Sequence, residues 1–160
     1  MRLPVLLAAA AATSLVATTP AEAQSRKPPY YASISAGKAR MRTGPGRNYP
    51  ASWLYVRPDL PIRVVSVYKE WRKIEDPDGT QGWMQANLLH ERRTGMVVEG
   101  IATLRDGPSA TARVLWRAAP GVVGRVNKCS SGWCWFDVRG RAGYVEQSHL
   151  WGFDPGEDVD

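Results

Sequence analysis

The stretch 129–145, C-S-S-G-W-C-W-F-D-V-R-G-R-A-G-Y-V, narrows the choice of folds more than any other part of this chain. It reads as short strands punctuated by two glycine turns. Side chains alternate across a strand, so Cys134, Phe136 and Val138 share one face and Trp133, Trp135 and Asp137 the other. Arg139-Gly140-Arg141 is turn chemistry, and Ala142-Gly143-Tyr144-Val145 opens a return strand. The same grammar occurs earlier, where Trp71-Arg72-Lys73-Ile74-Glu75 runs into the turn Asp76-Pro77-Asp78-Gly79 and then into Gly82-Trp83-Met84.

The echo extends through most of the chain. Ala102-Thr103-Leu104-Arg105-Asp106-Gly107-Pro108 repeats Ala39-Arg40-Met41-Arg42-Thr43-Gly44-Pro45 at an offset of 63. Trp116 keeps that offset from Trp53, Trp133 lies 62 after Trp71, and Gly143-Tyr144 lies 61 after Gly82-Trp83. A drifting offset means small loop deletions between two copies of one unit. Within the first copy, residues 52–56 and 62–68 read as strands, and Asn87-Leu88-Leu89 reads as a closing 3₁₀ turn. The resulting division is 1–23 leader, 24–31 flexible lead-in, 32–90 first unit, 95–152 second unit and 153–160 acidic tail. Twelve prolines and fifteen glycines point to many turns and few helices, hence an all-β chain.

Met1-Arg2, the apolar run 3–16 and Ala21-Glu22-Ala23 form an export-signal pattern, with cleavage expected between Ala23 and Gln24. The alternative is a retained N-terminal anchor. The run is short for a membrane span, which needs roughly 20 residues, and no span is expected in the mature chain. Export places the protein in the periplasm or cell envelope, where its two cysteines read as one disulfide, Cys129–Cys134. The formal charge of +6 would raise nucleic acid as a partner inside a cell. Export turns it towards glycan carboxylates, phosphates and lipid headgroups instead, and no nucleic-acid partner is expected.

Catalysis needs a nucleophile with a base, a carboxylate pair or a metal cluster. His90 and His149 lack a motif context, the cysteines are committed to each other, and Asp76-Pro77-Asp78-Gly79 is an ordinary turn. No catalytic residue, metal site or cofactor is therefore expected. The aromatic residues carry the functional signal. Trp53, Trp83, Trp116 and Tyr144 read as core or interface residues. Trp71 and Trp133 each open a strand beside a turn, on the face opposite Ile74 and Phe136, and read as partly exposed. The candidate ligand-binding set is Trp71 and Lys73 in the first unit with Trp133 and Trp135 in the second. Packing between the units is the alternative role for the two strand-opening tryptophans.

The pattern L/M-R-x-G-P, a β-branched strand, then G-W or E-W, then G-x-x-G-W/Y-V resembles the bacterial SH3-like (SH3b) domain family. The second copy is similar to the subgroup with a cysteine pair around its G-W. The resemblance covers about residues 32–152. It implies two tandem small, partly open β-barrels of five or so strands, and modules that are typically non-catalytic, exported and often peptidoglycan-binding. No enzyme domain is expected beside the modules, and the acidic loop and tyrosine motif of proline-binding SH3 domains are missing. The function it implies is binding of a cell-envelope ligand, either a cell-wall fragment (glycan or peptide) or an envelope protein in a scaffolding role, with an enzyme as a remote alternative. The ligand, the oligomeric state and the relative orientation of the units are not specified.

Overall fold

The computed structural model describes residues 26–160, so the leader and the bond between Ala23 and Gln24 lie outside the described residues. In chain order the first unit holds β1 (Tyr30–Ile34), β2 (Ala39–Arg42), β3 (Ala51–Tyr55), β4 (Pro61–Tyr68), β5 (Trp71–Glu75), β6 (Gln81–Gln85), a 3₁₀ turn (Ala86–Leu88) and β7 (Leu89–His90). The second holds β8 (Thr94–Val97), β9 (Ala102–Arg105), β10 (Val114–Ala118), β11 (Val123–Ser130), β12 (Trp133–Val138), β13 (Arg141–Glu146), a 3₁₀ turn (Gln147–His149) and β14 (Leu150–Trp151). No α-helix occurs among the described residues, and none of their helices is long and apolar enough to cross a membrane.

Each unit is one curled antiparallel sheet, ordered β3-β2-β6-β5-β4-β1-β7 and β10-β9-β13-β12-β11-β8-β14. The duplication reaches the irregularities. The register of β4 on β5 shifts between Val64 and Ser66, and that of β11 on β12 between Val126 and Lys128. A second pair of bulges falls at Ser52 in β3 and Leu115 in β10. An extra residue on one strand bends the sheet and strengthens its twist, which is how so short a sheet curls round its own core.

The repeated R-x-G-P motif earns its place by bracing a loop. Arg42 Nη1 donates to the Tyr49 carbonyl at 2.7 Å, and Arg105 Nη1 to the Ala112 carbonyl at 2.7 Å. Thr43 N to Pro50 O and Asp106 N to Arg113 O close the same loop in each copy. The glycine of G-W and G-Y is needed for close approach: a Cβ on Gly143 would stand 2.9 Å from the Arg105 carbonyl, and one on Gly82 2.9 Å from the Arg42 carbonyl.

The two cores are separate. Ile34, Met41, Ile62, Val64, Ile74 and Met84 fill the first. Val97, Leu104, Val126, Phe136, Val145 and the Cys129–Cys134 disulfide fill the second, with the bridge spanning β11 and β12. Residues 153–160, set apart in sequence as an acidic tail, belong to that second core. Phe153 and Val159 are buried, and Val159 exchanges two backbone hydrogen bonds with Cys129. Two apolar side chains spaced along the acidic stretch are enough to dock it.

The lead-in is also shorter than residues 24–31, because β1 starts at Tyr30. Tyr31 packs edge-on against Trp151 at 5.4 Å and lies under Arg63 and Arg93. Ser33 and Thr94, both buried, join their hydroxyls at 2.7 Å. The two units therefore meet through a built junction.

Candidate functional site

The disulfide hairpin positions a half-buried aromatic face. Ser131 and Gly132 both take positive φ, 52° and 79°, in the two-residue turn between β11 and β12, the backbone twist that favours tight hairpins. Trp133 follows at once, paired across the sheet with Ser130 on one side and Glu146 on the other. Trp135 lies on the same face and stacks edge-on against its cross-strand neighbour Tyr144 at 5.0 Å. The inward face carries Cys134 and Phe136, both fully buried.

Trp133 separates two shallow pockets. One, of about 330 Å³, is lined by Pro108, Lys128, Ser130, Ser131, Trp133 and Tyr144. The other, of about 520 Å³, has a largely apolar wall in which Leu150, Phe153 and Pro155 face Trp133, with Glu146 and Gln147 at its rim. Rings with one wet edge and one apolar face suit sugar or peptide stacking, with polar groups beside them to orient the ligand.

The first unit is different. Trp71 is 3% exposed, so its expected partial exposure is corrected. It sits at the start of the middle strand of its sheet, between Tyr68 and Gln85. In the second unit the cross-strand position of Tyr68 holds the small Ser130, and Trp133 is half-buried. Lys73 is half-buried across from Trp83. The four candidates therefore lie in two sheets, Trp71 and Lys73 in one and Trp133 and Trp135 in the other, and do not form one site.

Two tryptophans read as core or interface residues are also corrected. Trp53 is 55% and Trp116 46% exposed, and Leu54 and Leu115 beside them are exposed as well. Both rings stand on the outermost strand of their sheet, next to the Ser52 and Leu115 bulges, where only Tyr55 and Ala118 turn inward. Trp83 and Tyr144 are half-buried. An edge position is a property of strand order, which local periodicity does not carry. Pro108 and Phe153, brought to Trp133 from distant segments, carried no sequence signal for that placement.

The strongest electrostatic perturbations lie in the framework. Burial, then a 2.8 Å hydrogen bond to Asp76, pushes the Tyr55 hydroxyl well above its usual range. Burial likewise raises Tyr31. The hydrogen bonds from Arg93 hold the Glu157 carboxyl below its ordinary range. His90 lies 3.3 Å from Asp59, and His149 Nδ1 lies 2.7 Å from the Glu99 carbonyl. Among the described residues, no group of three or more His, Cys, Asp and Glu is placed to hold a metal.

The family described as bacterial SH3 domain matches this sequence twice, over residues 35–91 and 98–152. Among solved structures the chain is similar to NlpC2 from Trichomonas vaginalis, at 13% identity and a TM-score of 0.36, over 79% of this chain and 49% of that one. It is similar also to NlpC1 from the same organism, at 13% identity and a TM-score of 0.35, over 80% and 47%. The chain spans about half the length of these two proteins, and likeness at this level transfers no activity. No curated protein matches.

Proposed function

Because the chain belongs to the bacterial SH3 domain family through both of its halves, we propose that it is an exported, non-catalytic binding protein of the cell envelope. Its ligand, a peptidoglycan glycan or peptide, is gripped by the Trp133 face of the second unit. The observation that supports this reading is the ring of Trp133 standing between two pockets, one apolar and one bordered by Lys128 and Ser130. Aromatic anchors in such positions dominate many binding sites. Export rests on the leader pattern in residues 1–23, with processing between Ala23 and Gln24.

Retention of the protein on purified peptidoglycan sacculi tests the proposal. Trp133→Ala is expected to weaken binding by roughly 2 kcal/mol or more, the loss typical of a truncated aromatic anchor. Binding by this variant as tight as by the parent would remove Trp133 from the site. A second reading, a scaffold for another envelope protein, is favoured by the edge strands β3 and β10. Their exposed Trp53, Leu54 and Trp116 lie beside unpaired backbone, the arrangement that accepts an added strand. Absence from sacculi together with a co-purifying protein selects that reading.

A further inference from the structure

The loop 56–60 of the first unit faces the turns Gly121–Val123 and Arg139–Gly140 of the second, and two adjoining clefts lie between them. The smaller, about 310 Å³, is lined by Arg57, Asp59, Arg125, Asp137 and Arg139 among others. The larger, about 660 Å³, includes Arg57, Val122, Arg139 and Arg141. Arg57 and Arg139 border both, so the clefts form one groove along the seam. It shares no lining residue with the two pockets at Trp133.

Four arginines, Arg57, Arg125, Arg139 and Arg141, line the groove, and among the described residues none has a carboxylate within 4.0 Å. The two acids in the wall are already engaged. Asp59 Oδ1 lies 3.3 Å from His90 Nε2 and 3.6 Å from Arg92 Nη1, and Asp137 Oδ1 accepts from Gly140 N at 2.7 Å. Two of the arginines are braced by uncharged partners. Arg57 Nη1 donates to the Gly121 carbonyl at 2.8 Å, and Arg141 lies over the Trp116 ring at 5.6 Å. Two of the four are thus held by partners that leave their charge unneutralised.

The first unit did not need such a cluster to fold. Arg63, the counterpart of Arg125, lies within 4.0 Å of Asp154 and over Tyr31. Where the second unit has Arg139-Gly140-Arg141, the first has the acidic turn Asp76-Pro77-Asp78-Gly79. Arg139 also holds a left-handed backbone, φ 54°, at the first position of a two-residue turn. Lys69 and Ser131 take the same conformation at the first position of their own hairpin turns.

We propose that this groove is an oxyanion site that binds a phosphate-bearing ligand, either a soluble phosphate compound or the phosphate of a lipid headgroup. Guanidinium forks match phosphate oxygens two at a time, and positive charge without a carboxylate partner is available to an incoming anion without breaking an ion pair.

Titration of the protein with inorganic pyrophosphate, and flotation with phosphatidylglycerol vesicles against phosphatidylcholine vesicles, distinguish the two sources. Saturable binding in either arm is expected. It should fall at least tenfold in Arg57→Gln/Arg139→Gln, fall in Arg125→Gln should the double variant not fold, and stay unchanged in Arg47→Gln, a surface arginine outside the groove. Loss of both arms on raising salt is also expected. No binding in either arm, binding untouched by the groove variants, or an equal loss in Arg47→Gln would each overturn the proposal. Retention on sacculi, read separately in the same variants, should not change.

Discussion

Trp71 and Trp133 occupy the same place in two copies of one sheet, each at the first residue after the turn that follows the longest strand. In the first copy the ring is buried, and in the second it is half-buried and lines two pockets. The backbones agree down to their bulges, so the difference comes from what surrounds the rings. Tyr68 stands across from Trp71, whereas Ser130 stands across from Trp133. The copies also stiffen the neighbouring hairpin differently: Val67 faces Arg72 in the first, and Cys129 is bonded to Cys134 in the second. A duplicated fold therefore keeps its register while one copy spends a tryptophan on structure and the other leaves it available.

The cores differ in which strands supply their bulk. The first pairs the small Ile74 with the large Tyr55, whose hydroxyl is satisfied by Asp76. The second pairs the large Phe136 with Ala118, and Val138 takes the place of Asp76. The large ring comes from the outermost strand in the first copy and from the central strand in the second. One copy has a buried hydrogen bond between Tyr55 and Asp76, and the other a disulfide and a C-terminal strap.

The largest test of the comparison is to truncate both rings. Trp71→Ala should cost about 3–5 kcal/mol of stability, as for a buried aromatic. Trp133→Ala should cost about 1 kcal/mol, near the centre of the range for point changes. Denaturant unfolding of the two variants measures this, and equal losses would erase the distinction. Next in size, Cys129→Ala/Cys134→Ala should lower stability by about 2 kcal/mol, the chain-entropy value for a loop this short. Amide exchange should rise in β11 and β12 while β4 and β5 keep their protection. Equal loosening of both hairpins would mean that the copies unfold as one body.

The smallest effect is expected from acid. Glu157 is held below its ordinary range by Arg93, so the folded form keeps the carboxylate charged where the unfolded chain would protonate it. Stability from this contact is complete above the usual glutamate range and is lost as pH falls through the lowered folded value. Glu157→Gln should flatten that acid limb and raise exchange at Val159 and Cys129. Unchanged acid sensitivity in this variant would place the strap's hold elsewhere.

The repeat offsets, turn glycines and alternation in 133–138 were sufficient for an all-β duplication, and Cys129 and Cys134 for its disulfide. These features are local, since a two-residue period and a turn report on backbone a few residues long. The orientation of a face is also local, and the inward Cys134 and Phe136 followed from it. Exposure is not. Trp71 is covered, whereas Trp133 on the equally central strand of the other sheet is only half-buried. Trp53 and Trp116 were left open because their strands are outermost, and Phe153 was drawn in because a groove near Leu150 receives it. Each outcome depends on which distant segment lies alongside, a property of strand order and packing that periodicity along one strand cannot express. The same holds for the four arginines at the seam: the sheet of the second unit brings Arg125, Arg139 and Arg141 together, and Arg57 joins them only when the first unit lies alongside.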